Sequence, residues 1–124
     1  MAIQGPNLAV TFKAGEDMSS QENRFVCMSA DMTVKYSTQF PTIQSVGVLD
    51  NAPDGTTEEA RVIVAGIAKV ELGGTLSAGA RVAAEEATGK AIAVSATYVP
   101  AGVLLTGGNS GDLATVLLSS QSVV

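Results

Sequence analysis

The chain has 124 residues, with seven Lys and Arg against twelve Asp and Glu, which gives a formal net charge of −5. This length is typical of one domain that buries its core without a disulfide or a metal. There is no His and a single Cys, so the commonest general base, the commonest metal ligand and an internal disulfide are all missing, and we predict neither an enzyme nor a cofactor.

The chain begins with Met1 to Asn7, which lack the basic and apolar regions of a signal peptide. Pro6 favours an extended path, so we predict an N-terminal arm over residues 1–7 followed by a single β domain over residues 8–124. The apolar run from Val62 to Ala68 is far short of the ~20 residues that span a bilayer. The sequence therefore predicts a chain made in a reducing cytosol, where a single Cys needs no partner.

Short runs of aliphatic and β-branched residues alternate with Gly-rich turns along the chain. This pattern predicts an all-β fold, a small single-domain β-sandwich or barrel with Gly-rich hairpin loops and little helix. Ala83 to Glu86 are good helix formers, but Thr88-Gly89-Lys90 follows as a turn, so we predict the end of a strand and a loop over 80–87. The predicted strands are 8–13, 24–28, 33–37, 45–49, 60–67, 68–72, 102–105 and 114–118.

One strand–loop–strand pattern occurs twice. Gly47-Val48-Leu49 leads through a loop with Gly and Asp into 61–64, and Gly102-Val103-Leu104 leads through a similar loop into 114–118. Two copies are too few for a solenoid. Similar hairpin geometry is the interpretation that we favour.

Several short motifs resemble catalytic or ligand-binding signatures but are incomplete. The pairs Glu58-Glu59 and Glu85-Glu86 are sequential neighbours, whose side chains point to opposite faces of a strand, so solvated charge is the better interpretation. Cys27 lies between Val26 and Met28 without an activating His, and we predict a buried, inert core residue.

Two loops lack the ligands that their motifs require. The loop from Asp50 to Gly55 has Ala52 at the third position of a calcium loop and Arg61 at the twelfth, where a bidentate Glu is needed. Gly89-Lys90 is followed by Ala91 rather than Ser or Thr, so it is not a phosphate-binding loop. The acidic balance of the chain also argues against nucleic acid and anionic membranes as partners.

A series of Gly-rich and aliphatic segments follows one another over most of the chain. The segments are LAVTFKAGED at 8–17, RFV at 24–26, VGVL at 46–49, VIVAGIAKV at 62–70, GG at 73–74, LSAGARV at 76–82, GKA at 89–91, AGVL at 101–104 and GDLATVLL at 111–118. In their order and spacing they resemble the capsid cement, or head-decoration, proteins of tailed bacteriophages. The segment from Gln39 to Gln44 departs from that family, which has a more polar, Gly- and Ala-rich connection there.

The resemblance implies a structural virion protein without catalytic, cofactor or metal sites. Such a protein is made in the host cytoplasm and binds the outer surface of the assembled head. Its implied partners are the major capsid protein and further copies of itself, as a homotrimer over local three-fold positions.

Two parts of the sequence are candidate contacts with the shell or with another subunit. Ala2, Ile3 and Pro6 in the arm are suited to adding along a sheet edge of a neighbour, with a frayed terminus as the alternative. Phe12 and Phe40 belong to the aromatic-rich first third of the chain, whose rings are suited to anchoring an interface. Ordinary core packing is the alternative for each ring.

Two other classes of function have weaker support in the sequence. A virion-mounted β-sandwich module that binds glycans or a host surface would need exposed aromatic platforms, and Tyr36 and Tyr98 are the only Tyr residues, with no Trp. An enzyme would need a site built from Asp, Glu, Lys, Tyr or Ser without His, and no spacing in the sequence indicates one.

Overall fold

Nine strands make up the described part of the chain, which in this computed structural model is residues 5–35, 45–55, 58–85, 88–94 and 100–118. No residue in these ranges is helical, so the prediction of an all-β fold with little helix is confirmed. The strands are β1 (Asn7–Ala14), β2 (Phe25–Ala30), β3 (Thr33–Lys35), β4 (Gly47–Leu49), β5 (Glu59–Glu71), β6 (Arg81–Ala84), β7 (Ala91–Ala93), β8 (Pro100–Leu104) and β9 (Leu113–Leu118).

The first five strands close into a barrel, which we call the first unit. β1 pairs with β3 in parallel and with β5 antiparallel, while β3–β2, β2–β4 and β4–β5 are antiparallel pairs. Closure leaves no free edge in this part of the sheet. The core of the first unit contains Phe12, Ala14, Met18, Val26, Val34, Leu49, Ala60 and Val62.

β5 pairs with two different sets of strands. Residues 59–66 pair with β1 and β4, and residues 66–71 pair with β9. The change occurs at Gly66, which has φ +95°, and a Cβ there would collide with the carbonyl oxygen of Pro6. Glycine is therefore required where the strand passes from one set of partners to the other.

The remaining strands form a second ring with the end of β5, which we call the second unit. β9–β8, β8–β6 and β6–β7 are antiparallel pairs. A parallel bridge between Leu72 and Ala91 brings β7 back to the end of β5. The second unit is thus closed by a single bridge instead of a full strand pair.

The outer face of the first unit packs against the second unit and forms a shared core. Phe25, Cys27, Val48 and Ile63 lie on that face and are buried. The prediction that Cys27 is a buried core residue is confirmed. The second unit contributes Ala68, Val70, Leu72, Val82, Ala84, Ala91, Ala101, Leu104, Ala114 and Val116 to this core.

The observed strands differ from the predicted ones at β5 and at β7. The predicted strands 60–67 and 68–72 form one continuous strand, β5. Over 80–87 the structure agrees with the predicted strand end and loop, because Arg81–Ala84 form β6 and Glu85 is non-helical. β7 is not predicted, because its three residues Ala91 to Ala93 are too few to show a period.

Candidate interaction surface

The structure describes two of the five candidate contact residues predicted from the sequence. Ala2, Ile3 and Phe40 lie outside the described residues, and their contact roles stay predictions. Pro6 is exposed, and its carbonyl oxygen accepts a hydrogen bond from the Ile67 N–H at 3.0 Å. Phe12 is 9% exposed and belongs to the core of the first unit, so its ring packs inside this chain.

The first and second units have the same topology. In chain order the first unit is β1 to β5, and the second is the end of β5 followed by β6 to β9. In each unit the first strand lies parallel to the third, and the pairs third–second, second–fourth, fourth–fifth and fifth–first are antiparallel. Residues paired in both units are therefore counterparts of one another, and the pairing registers identify them.

Hydrogen bonds outside the strand ladders repeat in the same way. Five backbone N–H to carbonyl bonds of the first unit each match one bond of the second unit, at the same distance. With the donor residue named first and the bond of the first unit given before its match, they are Ala14–Glu58 and Leu72–Asp112 at 2.9 Å, Gly15–Val34 and Gly73–Ala91 at 2.8 Å, Met18–Pro53 and Leu76–Gly108 at 2.9 Å, Asn23–Leu49 and Gly79–Leu104 at 2.7 Å, and Leu49–Arg24 and Leu104–Ala80 at 2.9 Å. The equivalence of the two units thus extends into their loops.

The counterparts Asn23 and Gly79 also share an uncommon backbone conformation. Their φ angles are +66° and +90°, in the left-handed region. A side-chain contact repeats as well, because the Asn51 Oδ1 accepts from the Arg61 N–H at 3.0 Å and the Thr106 Oγ1 accepts from the Thr115 N–H at 2.9 Å. Different residue types therefore make the same local structure.

The strand–loop–strand pattern in the sequence corresponds to two equivalent hairpins, β4–β5 and β8–β9. Gly47 and Gly102 occupy the same place in them. A Cβ at Gly47 would collide with the carbonyl oxygen of Ile63, and a Cβ at Gly102 would lie 2.5 Å from that of Leu117. Both glycines are needed for close strand approach, so the pattern marks the same position in two equivalent units.

Three leucines are exposed on the outer face of the second unit. Leu105, Leu113 and Leu117 are 43%, 41% and 44% exposed. Leu117 pairs with Ile67 on β5 and with Val103 on β8, both half-buried. We call the surface formed by Ile67, Val103, Leu105, Leu113 and Leu117 the leucine face.

The leucine face carries few charges. Lys69 pairs with Thr115 and Arg81 with Val103, which places these two cations on the face. Glu71 pairs with Leu113 at one end of the leucine face. The Glu71 carboxylate already contacts Arg24 Nε at 2.9 Å and Lys90 Nζ at 3.5 Å. Lys69 and Arg81 are therefore the cations that strand pairing places beside the leucines.

The first unit has a groove of a different chemistry. It has a volume of about 370 Å³ and is lined by Thr11, Phe12, Lys13, Met32, Glu58 and Glu59. Glu58 and Glu59 are exposed, as predicted for solvated charge, and Met32 is 54% exposed. The groove thus combines apolar side chains with two carboxylates and one cation, Lys13.

The described residues give little sign of ligand chemistry. No group of three or more His, Cys, Asp or Glu among them is arranged to hold a metal ion. They also contain no helix that is long and apolar enough to cross a membrane. The pKa of Asp17 is lowered because the Ser19 N–H donates to its carboxylate at 3.0 Å, which is a local turn contact.

Comparison with known proteins gives a similarity in fold. No protein-family model matches the chain, and no curated protein sequence matches it. The chain is similar to the head fiber gp8.5 N base of bacteriophage phi29, known from a crystal structure. The TM-score is 0.69 at 14% sequence identity, and the match covers 96% of this chain and 99% of that chain. The all-β fold is therefore shared over nearly the whole length of both chains.

Proposed function

We propose that this chain is a structural protein of a tailed-bacteriophage virion, a capsid cement (decoration) protein that binds the outer surface of the head and stabilises the shell. The observation that carries the proposal is the similarity in fold to a phage head fiber base over 96% of this chain. The order of Gly-rich and aliphatic segments along the sequence supports the same class of protein. Both similarities point to a protein of the phage head.

The described structure suits a protein that acts by contact. Within the described ranges, every buried polar side-chain atom has a hydrogen-bond partner, and the first unit is a closed barrel. A closed barrel of this kind can present one defined surface to a partner. The leucine face and the groove of the first unit offer apolar area with charges beside it, which is the composition of a protein interface.

A protein that binds a shell does not need high affinity at each individual contact. A head presents many identical sites, so copies that also contact one another bind with an effective concentration that strengthens each contact. The partners under this proposal are the major capsid protein and further copies of the chain, as a homotrimer on the outer capsid surface. No reaction is required of any residue.

The direct test uses heads from a phage in which the gene for the chain is deleted. Purified chain is added to these heads, and binding is measured by co-sedimentation. We expect saturable binding and a higher temperature of head disruption at saturation. Absence of binding would contradict a head protein of any kind, whereas saturable binding with an unchanged disruption temperature would contradict the cement role alone.

A further inference from the structure

The equivalence of the two units provides an internal control for the leucine face. In the second unit Leu117 pairs with Ile67 and Val103. In the first unit Ile63 pairs with Ala9 and Val48 in the same arrangement. The two outer faces can therefore be compared position by position.

The apolar row of the first unit is covered. Ile63 and Val48 are each 1% exposed, because the second unit packs on them, and Ala9 packs against the same core. Leu117, the counterpart of Ile63, is 44% exposed. Val103 and Ile67, the counterparts of Val48 and Ala9, are half-buried. The second unit thus repeats an apolar row that the chain buries in the first unit, but leaves it open.

The positions around this row give a stronger contrast. Asp50 and Arg61 in the first unit form an exposed ion pair at 3.0 Å, and the backbone bond from Asp50 to Arg61 matches the bond from Leu105 to Thr115. Glu59 pairs with Lys13 near the end of β1, and its counterpart Leu113 pairs with Glu71 at the end of β5. At these positions the first unit has Asp50, Arg61 and Glu59, whereas the second unit has Leu105, Thr115 and Leu113. Two of the three charges are therefore replaced by exposed leucines.

A group of exposed apolar side chains on one face of a sheet is a common feature of interfaces. We propose that the leucine face is a subunit interface and that the acidic groove of the first unit of a second copy of this chain covers it. This inference rests on the proposed function. It adds the surfaces through which copies of the chain contact one another.

Charge complementarity identifies a second copy as the occupant. The leucine face presents Lys69 and Arg81 beside its leucines. The chain has eight acidic against four basic residues before Gly66, and four against three after it, so the acidic excess lies in the first unit. The groove is lined by Glu58 and Glu59 together with Met32, Phe12 and one cation, Lys13. Its two carboxylates exceed its single cation, and this complements a face of leucines flanked by Lys69 and Arg81.

The contact is head-to-tail, because the two surfaces lie on different units. Head-to-tail contacts between identical chains close into rings when the rotation between neighbours allows it. A three-membered ring is the form that agrees with the proposed homotrimer. Every copy then uses both surfaces, and neither remains open.

The experiment measures association of the full chain in solution without heads, by sedimentation equilibrium. We expect concentration-dependent trimers for the wild type and at least tenfold weaker association for Leu113→Glu, which places a negative charge beside Glu71 at the end of the face. Met28→Glu is the matched control, since Met28 is 37% exposed and lies outside both the leucine face and the groove lining. Unchanged melting temperatures establish that both variants fold.

A charge exchange tests the pairing of the two surfaces. Arg81→Glu is expected to weaken association, and the addition of Glu59→Lys in the same chain to restore it, whereas Glu22→Lys is not expected to restore it. A wild type that stays monomeric at its highest soluble concentration overturns the inference, as does unaltered association of Leu113→Glu. If Leu113→Glu associates normally but no longer binds heads, the shell covers this face and the inference is wrong, while the proposed function stands.

Discussion

The Arg24 Nε lies 2.9 Å from the Glu71 Oε1, and this ion pair joins the first unit to the second. Lys90 adds a contact of 3.5 Å to the other carboxylate oxygen. The three side chains are between 18% and 26% exposed. The junction between the two units is therefore held by a partly buried cluster of charges beside the shared apolar core.

Replacing Glu71 with Gln is expected to destabilise the chain by about 1–2 kcal/mol, because two partly buried cations lose their counter-charge. Urea denaturation measures the loss. Asp50→Asn is the control, since its partner Arg61 is 55% exposed, and exposed pairs contribute at most about 1 kcal/mol. Equal effects of the two substitutions would show that the cluster does not hold the units together.

Gly47→Ala and Gly102→Ala are expected to destabilise the chain by similar amounts, about 1–3 kcal/mol each. The reason is the collision of each new Cβ with a backbone carbonyl of the neighbouring strand. Gly74→Ala is the control, because a Cβ there has no atom within 4 Å. Thermal melts of the three variants make the comparison, and a neutral Gly102→Ala beside a damaging Gly47→Ala would contradict the equivalence of the hairpins.

The left-handed conformation shared by Asn23 and Gly79 gives a prediction about backbone strain. Gly79→Ala is expected to cost about 1–2 kcal/mol, since a Cβ at this position is disfavoured by conformation and not by crowding. Gly79→Asn is expected to cost less, because Asn tolerates this region and occupies the equivalent position in the first unit. Chemical denaturation ranks the variants, and an Asn variant less stable than the Ala variant would refute this explanation.

Cys27 reports on opening of the shared core. Its side chain is 0% exposed, so a thiol reagent is expected to react only after the core opens. The labelling rate in the native state is therefore expected to be far below that of the unfolded chain and to rise with denaturant as the unfolded population grows. Labelling of the folded protein at the rate of an exposed thiol would contradict the placement of β2 between the two cores.

The strands were largely predictable from local patterns, because short apolar runs such as 8–13 and 24–28 are separated by turn residues. The way in which the strands combine was not. Gly66 has the character of a turn residue in the sequence, yet it lies inside the continuous strand β5, where its left-handed conformation directs the two halves to different partners. Long-range pairing decides this, and no local period reports it.

The leucine face could not be predicted from the sequence for a related reason. In β9 the inward residues Ala114 and Val116 alternate with the outward Leu113 and Leu117, so both faces are apolar and the usual alternation is absent. Buried and exposed positions therefore look alike in the sequence. The one available signal was the repeated Gly-Val-Leu pattern, which would have allowed Leu105 and Leu113 to be compared with Asp50 and Glu59.

A cryo-electron microscopy reconstruction of heads saturated with the chain tests the account most directly. We expect density for grouped copies on the outside of the shell, with Leu113 and Leu117 of each copy covered by the acidic groove of its neighbour. Heads without such density, or separate copies whose leucines face solvent, would contradict it.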